Sequence, residues 1–132
     1  MEDIARILKN HHTIAVVGLS PNPDRPSHEV ASYLKDHGYE IIPVNPAAAE
    51  VLGKKCYPDL RAIPKPVEVV DIFRRSEFVG PIVEEAIAIK AKVVWMQDGV
   101  VNEEAATRAR QAGLQVVMDA CMKREHQRLR VG

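Results

Sequence analysis

The chain has 132 residues, of which 46% are hydrophobic and 27% charged, and this mixture is typical of one soluble globular domain. The 18 Lys and Arg residues balance the 18 Asp and Glu residues, which argues against a nucleic-acid-binding module, because such modules normally carry a basic surplus. No apolar stretch reaches the ~20 residues that span a bilayer, and the start lacks a signal-peptide pattern. The 2 cysteines show no disulfide or zinc spacing, so we expect a cytoplasmic protein with reduced thiols.

Short apolar runs alternate with helical patterns along the whole chain. The runs are rich in β-branched residues and end at turn residues, which is typical of strands covered on both faces. Helical patterns occupy the segments between them, and an N-terminal helix over 2–9 and a C-terminal helix over 122–129 flank the set. Pro43 lies inside the second run, where only a sheet edge, a bulge or a strand end tolerates proline. The predicted strands are 13–17, 41–44, 67–73, 93–96 and 116–118.

This alternation predicts βαβ units and an α/β fold. We expect a doubly wound, Rossmann-like parallel sheet of about five strands in the order 3-2-1-4-5, with helices on both faces and a single domain over 1–132. The stretch 47–66 is expected to be a crossover with one or two short helical turns. Ligands of such sheets bind outside the carboxyl ends of the strands, at the switch point beside the first strand. The residues that follow each strand are therefore the candidates for a binding site.

The loop after the first strand has features of a phosphate-binding turn. Gly18 lets the backbone approach a ligand closely, and the following helix start offers free amide groups. The hydroxyls of Ser20 and Ser27 can donate hydrogen bonds, and Arg25 can bind a phosphate through two nitrogens. The loop is neither a Gly-x-Gly-x-x-Gly fingerprint nor a P-loop, and turn and cap chemistry explains each residue equally well.

The ends of the next three strands restrict the choice of ligand. NAD sites usually have Asp or Glu at the end of the second strand, whereas this chain has Asn45 there, so NAD is disfavoured. The third strand ends in Phe73, Arg74 and Arg75, and two adjacent cations in a neutral chain can attract an anion. The alternative is a solvent-facing arginine pair balanced by nearby glutamates. A polar stretch that ends in Gly99 follows the fourth strand.

Five motifs in register give the chain a family resemblance. The segments AVVGLSPNPDRPSHEVASYL, PVNP, VDIFRRSE, VWMQDGVVNEEA and GLQVVMDACMKREH closely resemble the small single-domain CoA-binding proteins. These proteins are similar to the CoA-binding domain of the succinyl-CoA synthetase alpha subunit. The resemblance covers roughly residues 4–129.

The resemblance implies that the ligand is coenzyme A or an acyl-CoA, with its pyrophosphate and ADP part across the first loop and the switch point. The positions matched to the phosphate-facing turn and the loop-to-helix segment are Gly18, Leu19, Ser20, Arg25, Pro26 and Ser27. The positions matched to the adenosine region are Asn45 and Pro46. The positions matched to the passage of the phosphates and the start of pantetheine are Phe73, Arg74 and Arg75. Gln97 and Gly99 are matched to the route toward the thiol.

The sequence predicts neither a catalytic residue nor a metal site. Cys121 and His126 are five residues apart, so a helix does not bring them reliably to one face. Acyl-CoA synthetases that resemble this chain also need a phosphohistidine domain and a nucleotide-grasping domain, which 132 residues cannot hold. We therefore expect a non-catalytic CoA-binding module or subunit rather than an enzyme.

Two alternatives remain open at this point. The first is an NADP-binding or small acyl-CoA-transforming enzyme that uses an unrecognised residue. The second is an interaction protein whose basic end contacts an acidic partner, and a homo-oligomer is compatible with either. The basic residues of that end are Lys123, Arg124, Arg128 and Arg130.

Overall fold

The computed structural model describes residues 3–129. Five parallel strands form the central sheet, and two very short strands form a separate hairpin. The strands are β1 (Thr13–Val17), β2 (Glu40–Val44), β3 (Glu50–Val51), β4 (Lys54–Lys55), β5 (Val69–Ile72), β6 (Val93–Met96) and β7 (Gln115–Val117). The helices are α1 (Ile4–Asn10), α2 (Pro26–Asp36), α3 (Val79–Ala88), α4 (Glu103–Gln111) and α5 (Met122–Leu129). Two 3-10 turns, Leu60–Ala62 and Ser76–Phe78, precede β5 and α3.

The helices cover both faces of the sheet. Successive side chains of a strand point to opposite faces, so Ile14 and Val16 pack against α1, α2 and α5. Ala15 and Val17 pack on the other face with α3 and α4. Because both faces are covered, the strands read as continuous apolar runs rather than as alternating patterns. The predicted fold class, a doubly wound Rossmann-like parallel sheet with helices on both faces, is confirmed.

The strands of the sheet lie in the order β2-β1-β5-β6-β7. Counted within this sheet alone, the order is 2-1-3-4-5. The third strand, β5, pairs with β1, whereas the order 3-2-1-4-5 places it beyond β2. In both arrangements, the connections that lead to the strands on the two sides of β1 run in opposite directions. A crevice therefore opens beside the carboxyl end of β1.

A segment of the crossover explains why β5 does not pair with β2. Tyr57 forms a parallel bridge with Val44 on the outer edge of β2, and its amide donates to the carbonyl of Pro43 at 3.0 Å. The carbonyl of Tyr57 accepts a hydrogen bond from the amide of Asn45 at 2.9 Å. This edge is therefore occupied before the chain reaches β5. Pro43 lies in the edge strand, as its sequence context predicts, and its missing donor faces the outer side.

The ends of the elements follow local sequence signals. The side chain of Asn102 accepts a hydrogen bond from the amide of Ala105 and caps α4, as the sequence indicates. The crossover over 47–66 holds one helical turn together with the β3–β4 hairpin, which the sequence pattern does not reveal. Among the described helices, none is long and apolar enough to cross a membrane.

Candidate functional site

The carboxyl ends of β1 and β5 lie side by side and bring the first loop against the end of the third sheet strand. Gly18 follows β1 with φ +88°, a conformation that glycine adopts without the steric cost of a side chain. The amide of Phe73 donates to the carbonyl of Val17 at 2.9 Å, which extends the pairing of the two strands. The positions of Gly18 and Phe73 therefore agree with the prediction that these two strand ends lie at the same edge of the sheet.

The first loop is held in shape by its own hydroxyl groups. The amide of Ser20 donates to the Oγ of Ser27 at 3.0 Å, and the amide of Asn22 donates to the Oγ of Ser20 at 3.1 Å. Ser27 is buried in the first turn of α2, which begins with Pro26 after Arg25. These bonds fix the loop between β1 and α2.

Asn45 connects the end of β2 to this loop. Its Nδ2 donates to the carbonyl of Leu19 at 2.9 Å, and its Oδ1 accepts from the amide of Ala47 at 2.8 Å. Both ends of the amide are thus used within the protein. The side chain of Leu19 is fully buried in the core beneath α2, so it supports the loop from inside.

In the part of the chain that the structure describes, cavities that share lining residues open along this edge of the sheet, and three of them concern the predicted site. The largest, about 740 Å³, lies between α2, α5 and the ends of β5 and β6, and we call it the edge cavity. A second cavity of about 320 Å³ lies over the first loop and is lined by Gly18, Ser20, Arg25, Pro26, Ser27 and Phe73. A third of about 380 Å³ lies beside Asn45 and Pro46. Phe73 and Pro26 line both the first and the second, and Arg74 lines both the first and the third.

The structure brings together most of the site residues that the sequence predicts, but not all. Eleven of them, Gly18, Ser20, Arg25, Pro26, Ser27, Asn45, Pro46, Phe73, Arg74, Arg75 and Gln97, line at least one of the three cavities. Leu19 and Gly99 line none of them. The amide of Gly99 donates to Asp119 at 2.7 Å, so it joins the loops after β6 and β7.

Three arginines at this edge have no carboxylate partner among the described residues. Within residues 3–129, no Asp or Glu oxygen lies within ion-pair distance of Arg25, Arg74 or Arg75. The guanidinium of Arg74 lies 5.0 Å from the ring centroid of Phe78, a cation–π contact that holds the arginine but leaves its charge uncompensated. Such arginines attract anions into the cavities that they line.

Helix α5 supplies residues of the edge cavity that the sequence analysis missed. Lys123 pairs with Glu29 of α2 at 2.7 Å, and Arg124 pairs with Asp98 at 2.7 Å. Cys121, which precedes the helix, also lines the cavity. The signal was present, since the segment after β7 also leaves the carboxyl edge of a parallel sheet.

The three basic residues of the predicted patch that lie in the described part of the chain are therefore ion-paired. Lys123 and Arg124 are paired across the edge cavity, and Arg128 pairs with Glu125 one turn away at 2.8 Å. Arg130, the fourth residue of the predicted patch, lies outside the described residues. These pairs weaken the case for an acidic partner at this end.

A buried carboxyl and a buried amide lie beneath the edge cavity. Asp71, in the middle of β5, is 0% exposed, and Gln97 at the end of β6 is 3% exposed. The Nε2 of Gln97 donates to the Oδ1 of Asp71 at 2.6 Å, whereas the Oδ2 of Asp71 has no partner among the described residues. Burial raises the pKa of Asp71 to about 7, and the hydrogen bond from Gln97 opposes this shift in part. Sequence reasoning did not select Asp71, although an acid inside an apolar strand is a visible signal.

The cysteines and histidines do not form an obvious nucleophile and base. Cys56 is buried beside the hairpin, and its pKa is raised by burial and by the charge of Glu50. The Nδ1 of His126 lies 2.8 Å from the hydroxyl of Tyr33, in the contact between α5 and α2. In the described part of the chain, no group of three His, Cys, Asp or Glu residues could hold a metal ion.

Comparisons with known proteins give one family and several related structures. The family described as CoA binding domain matches residues 12–127. The uncharacterized protein YneT of Bacillus subtilis (strain 168) is 47% identical over 124 residues, which cover 94% of this chain and 92% of that protein. A solved structure of a hypothetical protein from Pyrococcus horikoshii OT3 is 49% identical, has a TM-score of 0.94, and aligns over 96% of this chain and 89% of that one.

A larger enzyme contains a region similar to this chain. The acetate–CoA ligase [ADP-forming] II of Archaeoglobus fulgidus is 33% identical over 86 residues, which cover 62% of this chain but only 13% of the ligase. The chain therefore resembles a small part of that enzyme.

Proposed function

The chain belongs to the CoA-binding domain family, and on that premise we propose that it binds coenzyme A or an acyl-CoA along the carboxyl edge of its sheet, as a single-domain binding module or subunit. The observation that carries the proposal is Arg74. It lines both the edge cavity and the cavity beside Asn45, and it has no carboxylate partner in the described chain. A ligand with several phosphates and an elongated arm suits two cavities joined by such a cation.

The residues present fit the phosphates of this ligand. Arg25, Arg74 and Arg75 supply three positive charges that have no carboxylate partner within residues 3–129, and charge-assisted hydrogen bonds to phosphate are stronger than neutral ones. Gly18 and the loop fixed by Ser27 allow the backbone to come close to the pyrophosphate. These groups explain how a chain with a formal net charge of zero can hold a strongly anionic ligand.

The remaining cavities suit the two ends of the ligand. The cavity beside Asn45 and Pro46 would receive the adenosine. The edge cavity, with Phe73 and Val100 among its apolar lining residues, would receive the pantetheine arm. The absence of an acid at position 45 agrees with CoA, whose ribose carries its extra phosphate on the 3′ oxygen and does not require a carboxylate there.

Calorimetry on protein stripped of copurified ligand tests the proposal. We expect CoA and acetyl-CoA to bind with micromolar dissociation constants and NAD and NADP to bind much more weakly. Undetectable CoA binding would refute the proposal and assign the three arginines to another anion. Tight NADP binding would favour the NADP-binding alternative, and turnover of an acyl-CoA would contradict a purely binding role.

A further inference from the structure

Asp71 is costly for the fold in its present environment. It pairs in register with Val16 on one side and Trp95 on the other, and it lies on the sheet face that α1, α2 and α5 cover. A buried polar atom without a partner destabilises a protein, and the Oδ2 of Asp71 is such an atom among the described residues. A β-branched apolar residue would suit this position better, so stability alone does not account for the carboxyl group.

The hydrogen bond to Gln97 gives Asp71 a defined effect. Because the Nε2 of Gln97 donates to the carboxyl group, the amide cannot rotate freely, and its Oε1 lies on the side away from Asp71. Gln97 lines the edge cavity, while the backbone of the same residue is fixed by a bond from its amide to the carbonyl of Ile72 at 3.3 Å. The Oε1 acceptor of Gln97 is left for a molecule in the cavity, together with the second N–H of its Nε2.

We infer that Asp71 is a positioning residue: through its hydrogen bond with Gln97, which lines the cavity proposed for the pantetheine arm, it turns the acceptor Oε1 of Gln97 toward donors of the ligand. The inference rests on the proposed function. The pantetheine arm carries amide N–H groups and ends in a thiol, so it offers the donors that such an acceptor recognises. The nucleotide half of CoA lies at the other cavities and makes no use of this pair.

The test compares two ligands in each variant. CoA contains the pantetheine arm, and adenosine 3′,5′-bisphosphate lacks it, so the ratio of their dissociation constants reports the contribution of the arm. We call this ratio the CoA preference. Gln97→Met keeps the length of the side chain, and we expect it to reduce the CoA preference roughly fivefold to tenfold, which corresponds to the loss of one hydrogen bond. Asp71→Val is expected to reduce it by a similar factor.

The two variants at position 71 separate positioning from a structural role. Asp71→Val removes the costly carboxyl group, so we expect its melting temperature to rise while its CoA preference falls. Asp71→Asn keeps an oxygen that can accept from Gln97 and is expected to retain most of the preference. If Asp71 were merely structural, the ratio of the two dissociation constants would be the same in the unmodified protein, in Asp71→Val and in Asp71→Asn. That result would overturn the inference.

Val69→Ala is the matched control. Val69 lies two residues earlier on the same face of β5, so its truncation should lower the melting temperature without changing the ligand ratio. A change of the ratio in this control equal to that in Asp71→Val would also overturn the inference. Failure of the proposed function looks different, since the unmodified protein would then bind neither ligand.

Discussion

A Cβ atom built on Gly18 would stand 2.6 Å from the backbone oxygen of Phe73. Real Cβ atoms essentially never come this close to a backbone atom, and the oxygen cannot move without shifting the end of β5. The first loop and the third strand end are therefore in direct contact only because position 18 has no side chain.

Gly18→Ala is expected to separate these two segments. The variant combines a backbone clash with a positive φ that L residues rarely adopt, so we expect a loss of roughly 1–3 kcal/mol of unfolding free energy and a large loss of CoA affinity. Chemical denaturation and calorimetry measure the two effects. Gly38→Ala is the control, because Gly38 also has a positive φ of +93° but nothing lies within 4 Å of its Cβ position. Equal effects in the two variants would contradict the role assigned to the close contact.

Arg74→Ala is expected to weaken CoA binding roughly tenfold to a hundredfold, since charge-assisted hydrogen bonds contribute about 1.5–3 kcal/mol. Binding of pantetheine fragments without phosphates should change much less. The difference in CoA affinity between Arg74→Ala and the unmodified protein should become smaller at higher salt concentration, because salt screens the interaction between the arginine and the phosphate. Arg108→Ala serves as the control, as Arg108 is paired with Glu84 on the α3–α4 side of the protein. An unchanged CoA affinity in Arg74→Ala would remove the phosphate role of this residue.

Asp71 should make the protein less stable as pH rises from about 4 to 7. Its pKa is raised from 3.8 to about 7 in the folded state, so between these values the folded protein holds a proton that the unfolded chain releases. The resulting penalty above pH 7 is on the order of 4 kcal/mol relative to acidic solution. Asp71→Asn should lack this contribution in thermal melts across pH 4–8, whereas Glu84→Gln, at an exposed carboxylate, should keep it.

His126 should act in the opposite direction. Burial and the nearby His37 lower its pKa below 6.5, so the unfolded chain binds a proton that the folded protein excludes. The contribution of His126 to the free energy of unfolding is therefore present above pH 6.5 and is lost as the pH falls below this value. His126→Phe keeps a ring against Tyr33, His37 and Tyr39 and should lose less stability on acidification. The same acid loss in this variant as in the unmodified protein would assign the effect to another group.

The sequence predicts the strand ends of the site better than its interior. Gly18, Arg74 and Arg75 follow apolar runs directly, and the carboxyl ends of parallel strands meet at one edge, so a local pattern is enough to group them. Lys123 and Glu29 are 94 residues apart in the chain, and only the packing of α5 on α2 brings them together. No periodicity carries that information.

The position of the third strand and the role of Asn45 also depend on tertiary contacts. Tyr57 occupies the outer side of β2 because the crossover folds back on itself as a hairpin. Gly53 in its turn has a positive φ of +72° and marks a turn in the sequence, but it does not specify the strand on which the segment packs. The sequence predicts Asn45 as a site residue from its place at a strand end, but both its Nδ2 and its Oδ1 bind the protein backbone. Its contribution to the site is therefore to hold the first loop in position.

The segment around Tyr57 has a further consequence for how the protein behaves at high concentration. Unpaired outer strands are templates for intermolecular β-pairing and aggregation. Here one outer strand is shielded by Tyr57 and interrupted by Pro43, and the opposite one, β7, is only three residues long. The sheet thus offers other chains little backbone to pair with, and this arrangement protects the folded protein from growing into larger β-structured assemblies.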